Sequence, residues 1–268
     1  MSKKIVVIGG VAGGASTAAR IRRLDEAADI VMFEKGPLVS FSNCCLPFHL
    51  SGTITKAEDL VLMSPEQFKA QYNIKAQVLR EVTAINKEEK TVTVKNLETG
   101  ESFTEAYDEL ILSPGAQAVM PQSIAGIDGE NVFSVRNVPD IAAIKEYIDD
   151  KQIEDIVVVG GGFIGLEVAE NLTMAGKNIA LVEAADQVMV PFDYDMAQIL
   201  HKEIIDQGVD LIVEDSVVAI TSDEVVLASG KKVPAKALVM AIGVKPDTRL
   251  AVAAGLEIGE TGGIAVNH

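Results

Sequence analysis

Two glycine-rich turns, each following a short apolar strand, constrain the fold of this chain more than any other feature. The first lies at positions 5–14 (IVVIGGVAGG) and the second at 156–165 (IVVVGGGFIG). Each is followed by a helical stretch and then by a second apolar strand that ends in a glutamate. Free N–H groups at the start of such a helix attract a pyrophosphate. The repeat therefore predicts two nucleotide-binding units in one chain.

The two turns differ at the central glycine position. The second turn has the complete pattern G-x-G-x-x-G at Gly160, Gly162 and Gly165. In the first turn Gly9 and Gly14 take the outer positions, but Val11 stands at the central one. Judged alone, the first turn is therefore the weaker indication of nucleotide binding.

An acid is expected about 20 residues after each turn, where it would bind the ribose hydroxyls. Glu34 and Glu183 both stand at the end of the expected strand. A carboxylate there repels the 2′-phosphate of NADPH, so NADH is favoured over NADPH at the second unit. Either glutamate alone is equally explained as a solvated strand end, but the two in register favour nucleotide binding.

The order of glycine-turn unit, β-meander and closing strand occurs twice, which indicates an internal duplication. Alternating apolar residues predict meander strands at 75–86, 91–95 and 101–104, and a smaller set at 217–221, 224–228 and 232–233. Buried closing strands are predicted at 108–112 and 237–242. A last strand is predicted at 263–268, and because the sequence stops inside it, we expect an N-terminal fragment.

Composition and charge exclude several classes of partner. The formal net charge of −16 over 268 residues argues against nucleic acid or an anionic membrane as partner. No apolar run approaches the roughly 20 residues that span a bilayer. The first residues lead straight into an apolar strand without a secretory signal, so a cytoplasmic protein is expected. The only two cysteines are adjacent, which excludes a disulfide scaffold and zinc-type CxxC spacing, and no metal is expected.

Cys44 lies in the segment 40–47 (SFSNCCLP), shortly after the first unit. Loops at the carboxyl ends of parallel strands line the ligand crevice of a doubly wound sheet, so this thiol could face a bound flavin. If Cys44 also starts a short helix over 46–50, the helix N-terminus favours the thiolate. The alternative is two small buried side chains. A disulfide between Cys44 and Cys45 would form a strained ring.

These motifs resemble the flavoprotein pyridine nucleotide-disulfide oxidoreductases across essentially the whole chain. Segments 11–15 (VAGGA) and 40–47 resemble the single-cysteine branch, closest to the coenzyme A-disulfide reductases and the NAD(P)H-dependent persulfide or polysulfide reductases. NADH oxidases and peroxidases of this branch typically have histidine where Ala12 stands. His49 occupies the second position of the C-x4-C motif, so an intramolecular dithiol mechanism is not expected. Cys45 stands where relatives have Gly or Ala.

The resemblance implies an α/β fold with two Rossmann-like three-layer (ββα) domains of the glutathione-reductase type and small β-meanders. It implies an FAD-binding domain over 1–118, an NAD(H)-binding domain over 119–243, and an incomplete return segment to the FAD-binding domain over 244–268. The flavin-binding Gly-Asp motif and the C-terminal dimerisation domain of the family are missing from the sequence. Because the resemblance implies a C-terminal dimerisation domain, the full-length protein is expected to be a homodimer.

The resemblance also assigns site residues, with Cys44 as the catalytic residue. The residues implied at FAD are Gly9, Val11, Ala12, Gly13, Gly14, Glu34, Lys35, Asn43, Val82, Ser113, Pro114, Gly115 and Arg136. Those implied at NAD are Gly160, Gly162, Phe163, Ile164, Gly165, Glu167, Glu183 and Gly243. Those implied at a coenzyme A-type substrate are Ser16, Arg20, Arg23, Ser40 and Asn43. Arg20 and Arg23 lie one helical turn apart, so one phosphate could bridge them, although a solvated helix face explains them equally well.

The implied reaction is FAD-dependent reduction, by NADH, of coenzyme A disulfide or of a low-molecular-weight persulfide or polysulfide through Cys44. One alternative is an NADH oxidase or peroxidase in which Cys44 cycles through sulfenic acid. The other alternative is a non-catalytic FAD/NAD-binding redox module.

Overall fold

The structure is a computed structural model that describes residues 2–267. Its α-helices are α1 Ala12–Leu24, α2 Pro47–Leu50, α3 Pro65–Tyr72, α4 Val138–Asp150, α5 Phe163–Met174, α6 Tyr194–Asp206 and α7 Arg249–Ala253. Its strands are β1 Lys4–Ile8, β2 Asp29–Phe33, β3 Ile74–Gln77, β4 Arg80–Asn86, β5 Thr91–Asn96, β6 Ser102–Ala106, β7 Glu109–Leu112, β8 Ala116–Ala118, β9 Val132–Ser134, β10 Asp155–Val159, β11 Asn178–Val182, β12 Asp210–Ile212, β13 Val217–Ile220, β14 Glu224–Leu227, β15 Lys232–Pro234, β16 Ala237–Met240 and β17 Val244–Pro246. Asn43–Cys45 and Ala57–Leu60 form short 3-10 turns. No helix within residues 2–267 is long and apolar enough to cross a membrane.

The chain divides into two compact units. The first unit runs to Ser42, from Val61 to Gln117 and from Lys245 onward, and the second comprises Asn43–Leu60 and Ala118–Val244. The segment Asn43–Leu60, expected in the first domain, thus groups with the second unit, where α2 packs against α4 and α5. Which unit binds which cofactor stays a prediction.

The first unit is a parallel sheet covered on both faces. Its strand order is β3-β2-β1-β7. Because side chains alternate along a strand, Ile5 and Val7 pack with the helices α1 and α3, through residues such as Phe68. Val6 and Ile8 pack on the opposite face with the meander β4–β6. This arrangement confirms the predicted three-layer ββα architecture.

The second unit repeats this plan with a five-stranded parallel sheet of order β12-β11-β10-β16-β9. Val157 and Val159 of β10 form a core cluster with the meander β13–β15. Helix α5, which follows the second glycine turn, packs against β10 and β11. The internal duplication predicted from the sequence is therefore present in the fold.

Two local predictions are wrong, and the condition that Cys44 starts a helix is not met. The strand predicted at 75–86 is two strands, β3 in the parallel sheet and β4 in the meander, because Leu79 between them has a left-handed φ of 53°. The predicted strand at 263–268 is reduced in residues 2–267 to one bridge between Ile258 and Ile264, and His268 lies outside the described residues. Cys44 lies in the 3-10 turn Asn43–Cys45 rather than at the start of a helix.

Candidate nucleotide-binding and thiol sites

The outer glycines of the first turn are required by close backbone contacts. Gly9 has a φ of 94°, and a Cβ atom there would lie 2.0 Å from the carbonyl oxygen of Ser113. A Cβ atom on Gly14 would lie 1.8 Å from the carbonyl oxygen of Gly9. A side chain on Gly9 would therefore force the turn away from the residues after β7, and one on Gly14 would force α1 away from the turn.

The second turn has the same contacts. Gly160 has a φ of 106°, and a Cβ atom on it would lie 2.6 Å from the carbonyl oxygen of Ala241. A Cβ atom on Gly165 would lie 1.8 Å from the carbonyl oxygen of Gly160. Ala241 follows β16 as Ser113 follows β7, so the two closing strands contact the two turns at equivalent positions.

The central position of each turn does not require glycine for the fold. Val11 and Gly162 have φ values of −104° and −84°, both outside the left-handed region. A Cβ atom on Gly162 would meet no atom within 4 Å. Val11 is thus accommodated in the first turn, because its position does not require a left-handed backbone.

The helices after the two turns begin without a side-chain cap. Val11 and Gly162 occupy the N-cap positions of α1 and α5, and neither first turn contains an acidic residue. By contrast, α3 and α4 are capped by the side chains of Ser64 and Asn137. The first N–H groups of α1 and α5 are therefore available to an anion, which fits the pyrophosphate of a dinucleotide.

Both predicted glutamates bind the backbone of the turns. Glu34 accepts a hydrogen bond of 2.8 Å from the N–H of Gly10 and one of 2.7 Å from the N–H of Gly36. Glu183 accepts bonds of 2.6 Å from Gly161 and 2.8 Å from Ala185. A carboxylate offers about four acceptor positions, so each glutamate retains capacity for ribose hydroxyls.

A second pair of equivalent contacts was not predicted from the sequence. The N–H groups of Ser40 and Met189 donate to the carbonyl oxygens of Gly10 and Gly161, both at 2.8 Å. Ser40 and Met189 also share a left-handed backbone, with φ values of 48° and 50°. Each lies six positions after its glutamate, which is the only signal in the sequence that could have identified the pair.

The first unit contains a cavity of about 340 Å³ beside its glycine turn. Five residues predicted at FAD line it, namely Gly9, Glu34, Lys35, Val82 and Pro114. Seven of the lining residues that the sequence did not single out are Arg80, Glu81, Thr83, Asp247, Arg249, Leu250 and Ala253. The cavity is therefore lined both by residues predicted at FAD and by residues of the return segment over 244–268, which form one of its walls.

Asp247 is the most strongly bonded side chain of this cavity and is only 8% exposed. Its two oxygens accept bonds of 2.8 Å from Nε and Nη2 of Arg249. Oδ2 also accepts from Lys35 at 3.4 Å and from Gln117 at 3.2 Å. The hydrogen bonds from Arg249 hold the pKa of Asp247 well below its usual range, and the charges of Arg249 and Lys35 add to this.

The predicted catalytic cysteine is accessible. Cys44 is exposed and Cys45 partly exposed, so the alternative of two buried side chains is wrong. The buried His49, on α2, donates from Nδ1 to the carbonyl oxygen of Ile54 at 2.8 Å. Cys44 lies in the second unit, together with two residues predicted at FAD, Asn43 and Arg136.

Three predicted substrate residues lie along one exposed face of α1. Ser16, Arg20 and Arg23 are all exposed and are spaced by four and three residues. Arg22, one position before Arg23, points elsewhere and donates to the carbonyl oxygens of Tyr72 and other residues. Arg20 and Arg23 are thus exposed and three positions apart on α1, while Arg22 is held by backbone carbonyl groups.

The remaining residues predicted at NAD are accessible in the second unit. Phe163 and Glu167 are exposed on α5, and Ile164 between them is partly exposed. Gly243 has a φ of 127°, and a Cβ atom on it would meet nothing within 4 Å, so only its backbone conformation favours glycine. Among residues 2–267 no three His, Cys, Asp or Glu side chains are grouped to hold a metal ion.

Comparisons with known proteins identify relatives of this chain. The family described as pyridine nucleotide-disulphide oxidoreductase matches residues 3–268. A relative named coenzyme A disulfide reductase, from Staphylococcus haemolyticus (strain JCSC1435), is 35% identical over 265 residues. This match covers 99% of the present chain but 59% of the relative, so the chain spans less than two thirds of that protein.

Two solved structures are similar over nearly the whole chain. The first is reduced Bacillus anthracis CoADR-RHD, with a TM-score of 0.94, 48% identity, and coverage of 98% of this chain and 47% of that one. The second is a NAD-dependent persulfide reductase from A. fulgidus, with a TM-score of 0.92, 34% identity, and coverage of 97% and 49%. These likenesses confirm the α/β fold class predicted from the sequence.

Proposed function

Because the chain belongs to the pyridine nucleotide-disulphide oxidoreductases, a family that uses FAD and NAD(P)H, we propose that it forms the nucleotide-binding part of an FAD-dependent NADH:disulfide oxidoreductase. FAD binds the first unit and NADH the second. The observation that carries this proposal is the repeated site: an uncapped helix, a tight glycine turn and a glutamate bound to that turn, present in both units.

The choice of NADH over NADPH rests on Glu183. Its carboxylate is held at the end of β11 by the N–H groups of Gly161 and Ala185. Held there, its remaining lone pairs accept bonds from ribose hydroxyls. The same negative charge disfavours a 2′-phosphate at that position.

The substrate proposed is coenzyme A disulfide or a low-molecular-weight persulfide, since relatives are named for both activities. The exposed guanidinium groups of Arg20 and Arg23 are suited to a phosphate group of coenzyme A. Ser16 lies one turn before Arg20 on the same face. Ser40 and Asn43, which the resemblance also assigns to the substrate, lie just before Cys44, and Asn43 begins the 3-10 turn that carries it.

The chemistry proposed for Cys44 is thiol–disulfide exchange. Its thiolate attacks one sulfur of the substrate disulfide, the S–S bond breaks, and one coenzyme A thiolate leaves. Cys44 then holds the other half of the substrate as a mixed disulfide. FAD, when bound, supplies the two electrons of NADH that cleave this mixed disulfide. In sum, NADH, one proton and the disulfide yield NAD⁺ and two thiols.

The proposal is tested with the purified protein in three steps. FAD binding is measured by the flavin absorbance that stays with the protein, and flavin reduction by anaerobic titration with NADH. Disulfide reduction is measured as consumption of NADH with coenzyme A disulfide. Cys44→Ser should abolish disulfide reduction while flavin reduction by NADH continues, and the neighbouring Cys45→Ser serves as the matched control and should retain both.

Equal loss of both half-reactions in Cys44→Ser would contradict the role of this thiol. A wild-type protein that retains no flavin would contradict the assignment of the first unit. Consumption of NADH with peroxide but not with disulfide would favour the sulfenic acid chemistry of oxidases and peroxidases. A homodimer of the full-length protein and a cytoplasmic location stay predictions.

A further inference from the structure

One wall of the cavity in the first unit is formed by the segment that begins at Lys245. Leu250 and Ala253 of α7 line the cavity, and Leu250 also packs against the core cluster on the meander face of the sheet. The conformation of this segment therefore decides whether the cavity is closed on that side.

Asp247 joins this segment to the rest of the first unit. Its N–H donates to the carbonyl oxygen of Gly115 at 2.9 Å. Its carboxylate accepts from Lys35, just after β2, from Gln117 in β8 and from Arg249 at the start of α7. Three parts of the chain that are distant in sequence, at Lys35, at Gly115–Gln117 and at Asp247–Arg249, thus meet here.

We propose that Asp247 is a positioning residue that closes this wall of the dinucleotide cavity by binding Lys35, Gln117 and Arg249 at the same time. A carboxylate that is 8% exposed is tolerated only if hydrogen bonds replace its lost water, so its donors are held in fixed places. Arg249 is 70% exposed and is oriented by this ion pair rather than by packing. The inference rests on the proposed function in one respect, that the cavity receives part of FAD.

The direction in which FAD affinity changes when Asp247 is neutralised distinguishes a positioning role from an effect of its charge alone. Asp247 places a negative charge beside a cavity proposed for an anionic ligand. If only its charge mattered, neutralising it would strengthen FAD binding. If it positions the wall, neutralising it weakens FAD binding, because an amide has one acceptor oxygen and no charge and cannot hold Lys35, Gln117 and Arg249 together.

The experiment compares the 268-residue protein with Asp247→Asn. FAD affinity is measured by quenching of flavin fluorescence. Hydrogen–deuterium exchange of peptides covering 245–256 is measured in the flavin-free protein. Glu257→Gln is the matched control, since it removes one carboxylate from the same segment, and Glu257 is exposed and makes no side-chain hydrogen bond within residues 2–267.

We expect Asp247→Asn to weaken FAD binding by about tenfold or more, the usual value of one charge-assisted hydrogen bond. Exchange in 245–256 should become faster, and Glu257→Gln should match the wild type in both measurements. If Asp247→Asn fails to fold, Arg249→Gln replaces it, because an exposed side chain can be changed without disturbing the core. It should also accelerate exchange in 245–256.

Wild-type exchange together with equal or tighter FAD binding in these variants would overturn the inference. A wild-type protein that binds no FAD contradicts the proposed function instead. In that case the exchange of 245–256 in the flavin-free protein still decides the role of Asp247.

Discussion

Glu183 accepts a 2.6 Å hydrogen bond from the backbone N–H of Gly161, inside the second glycine turn. Glu34 makes the equivalent bond to Gly10 at 2.8 Å in the first turn. A residue expected from its spacing to contact a ribose therefore also holds the glycine turn, which we predict to face the pyrophosphate. If the same carboxylate also selects the ligand, as we propose, one substitution should change both the fold stability and the ligand selectivity.

Glu183→Ala is predicted to weaken NADH binding and to destabilise the second unit. Loss of two charge-assisted bonds should lower the free energy of unfolding by about 2 kcal/mol. The affinity for NADPH relative to NADH should rise, because the charge that repels the 2′-phosphate is gone. Denaturant unfolding and fluorescence titration with both nucleotides measure these effects. Glu224→Gln, which removes an exposed ion pair with Lys232 in the same unit, is the control and should change neither.

Gly9→Ala is predicted to be far more destabilising than Gly100→Ala, although both glycines have a positive φ. A Cβ atom on Gly9 would lie 2.0 Å from the oxygen of Ser113, whereas one on Gly100 would meet nothing within 4 Å. The Gly100 variant should lose about 1 kcal/mol through backbone strain, and the Gly9 variant more than about 3 kcal/mol. Thermal unfolding of the two variants measures the difference. Equal melting temperatures would show that the turn relaxes around the added methyl group.

Gly162→Ala is predicted to separate binding from stability. Residue 162 has a φ of −84° and open space around a Cβ atom, so the variant should keep its stability to within about 0.5 kcal/mol. NADH affinity should fall by about tenfold or more, because the methyl group occupies the space through which the pyrophosphate approaches the backbone. Titration with NADH measures this loss. An unchanged affinity would mean that the pyrophosphate lies elsewhere.

The residues that could be predicted from the sequence are those whose role depends on local spacing. The glycines of both turns and Glu34 and Glu183 belong to short patterns with a fixed geometry, and the structure contains these patterns twice. The positions of strands and helices could also be predicted from the sequence where the apolar periodicity was clear. The break at Leu79 was missed although Val78-Leu79 and Arg80-Glu81 interrupt the apolar alternation there. The left-handed backbone of Leu79 separates β3 from β4.

The cluster around Asp247 could not be predicted in the same way. Its partners Gln117 and Lys35 lie 130 and 212 positions away, so no local pattern connects them. Arg249 is two positions from Asp247, but this spacing is common in exposed loops and does not by itself indicate an ion pair. The return of the chain to the first unit has to be known before these side chains can be placed together.

The exposed arginines of α1 are predicted to act on substrate affinity and not on stability. Replacing both Arg20 and Arg23 with Gln should raise KM for coenzyme A disulfide about tenfold while kcat is retained, since the proposed function places them at a phosphate remote from the reacting sulfur. Arg22→Gln should instead lower the free energy of unfolding by about 1–3 kcal/mol, because Arg22 bonds carbonyl oxygens at the end of α3 and after α1. Steady-state kinetics and denaturant unfolding of the two variants measure this contrast. A double variant with unchanged KM would favour a solvated helix face.

Asp247 is predicted to make the stability of the first unit sensitive to acid. Because its pKa is lowered in the folded protein, its contribution is complete above the ordinary aspartate value of about 3.9. The contribution is lost as the pH falls below that value towards the lowered pKa of the folded state. Asp247→Asn should therefore cost about 1–2 kcal/mol near neutral pH and progressively less in acid.

Urea unfolding of the wild type and of Asp247→Asn, at neutral pH and at about pH 3, measures this dependence. Asp215→Asn is a suitable control, since Asp215 is also an aspartate with a lowered pKa, held by the Ser229 hydroxyl, but it lies in the second unit. It should leave the unfolding of the first unit unchanged at both pH values. A difference between wild type and Asp247→Asn that stays constant with pH would mean that the bonds to Lys35, Gln117 and Arg249 do not depend on the carboxylate charge. The ion pair would then have no part in the stability of that wall.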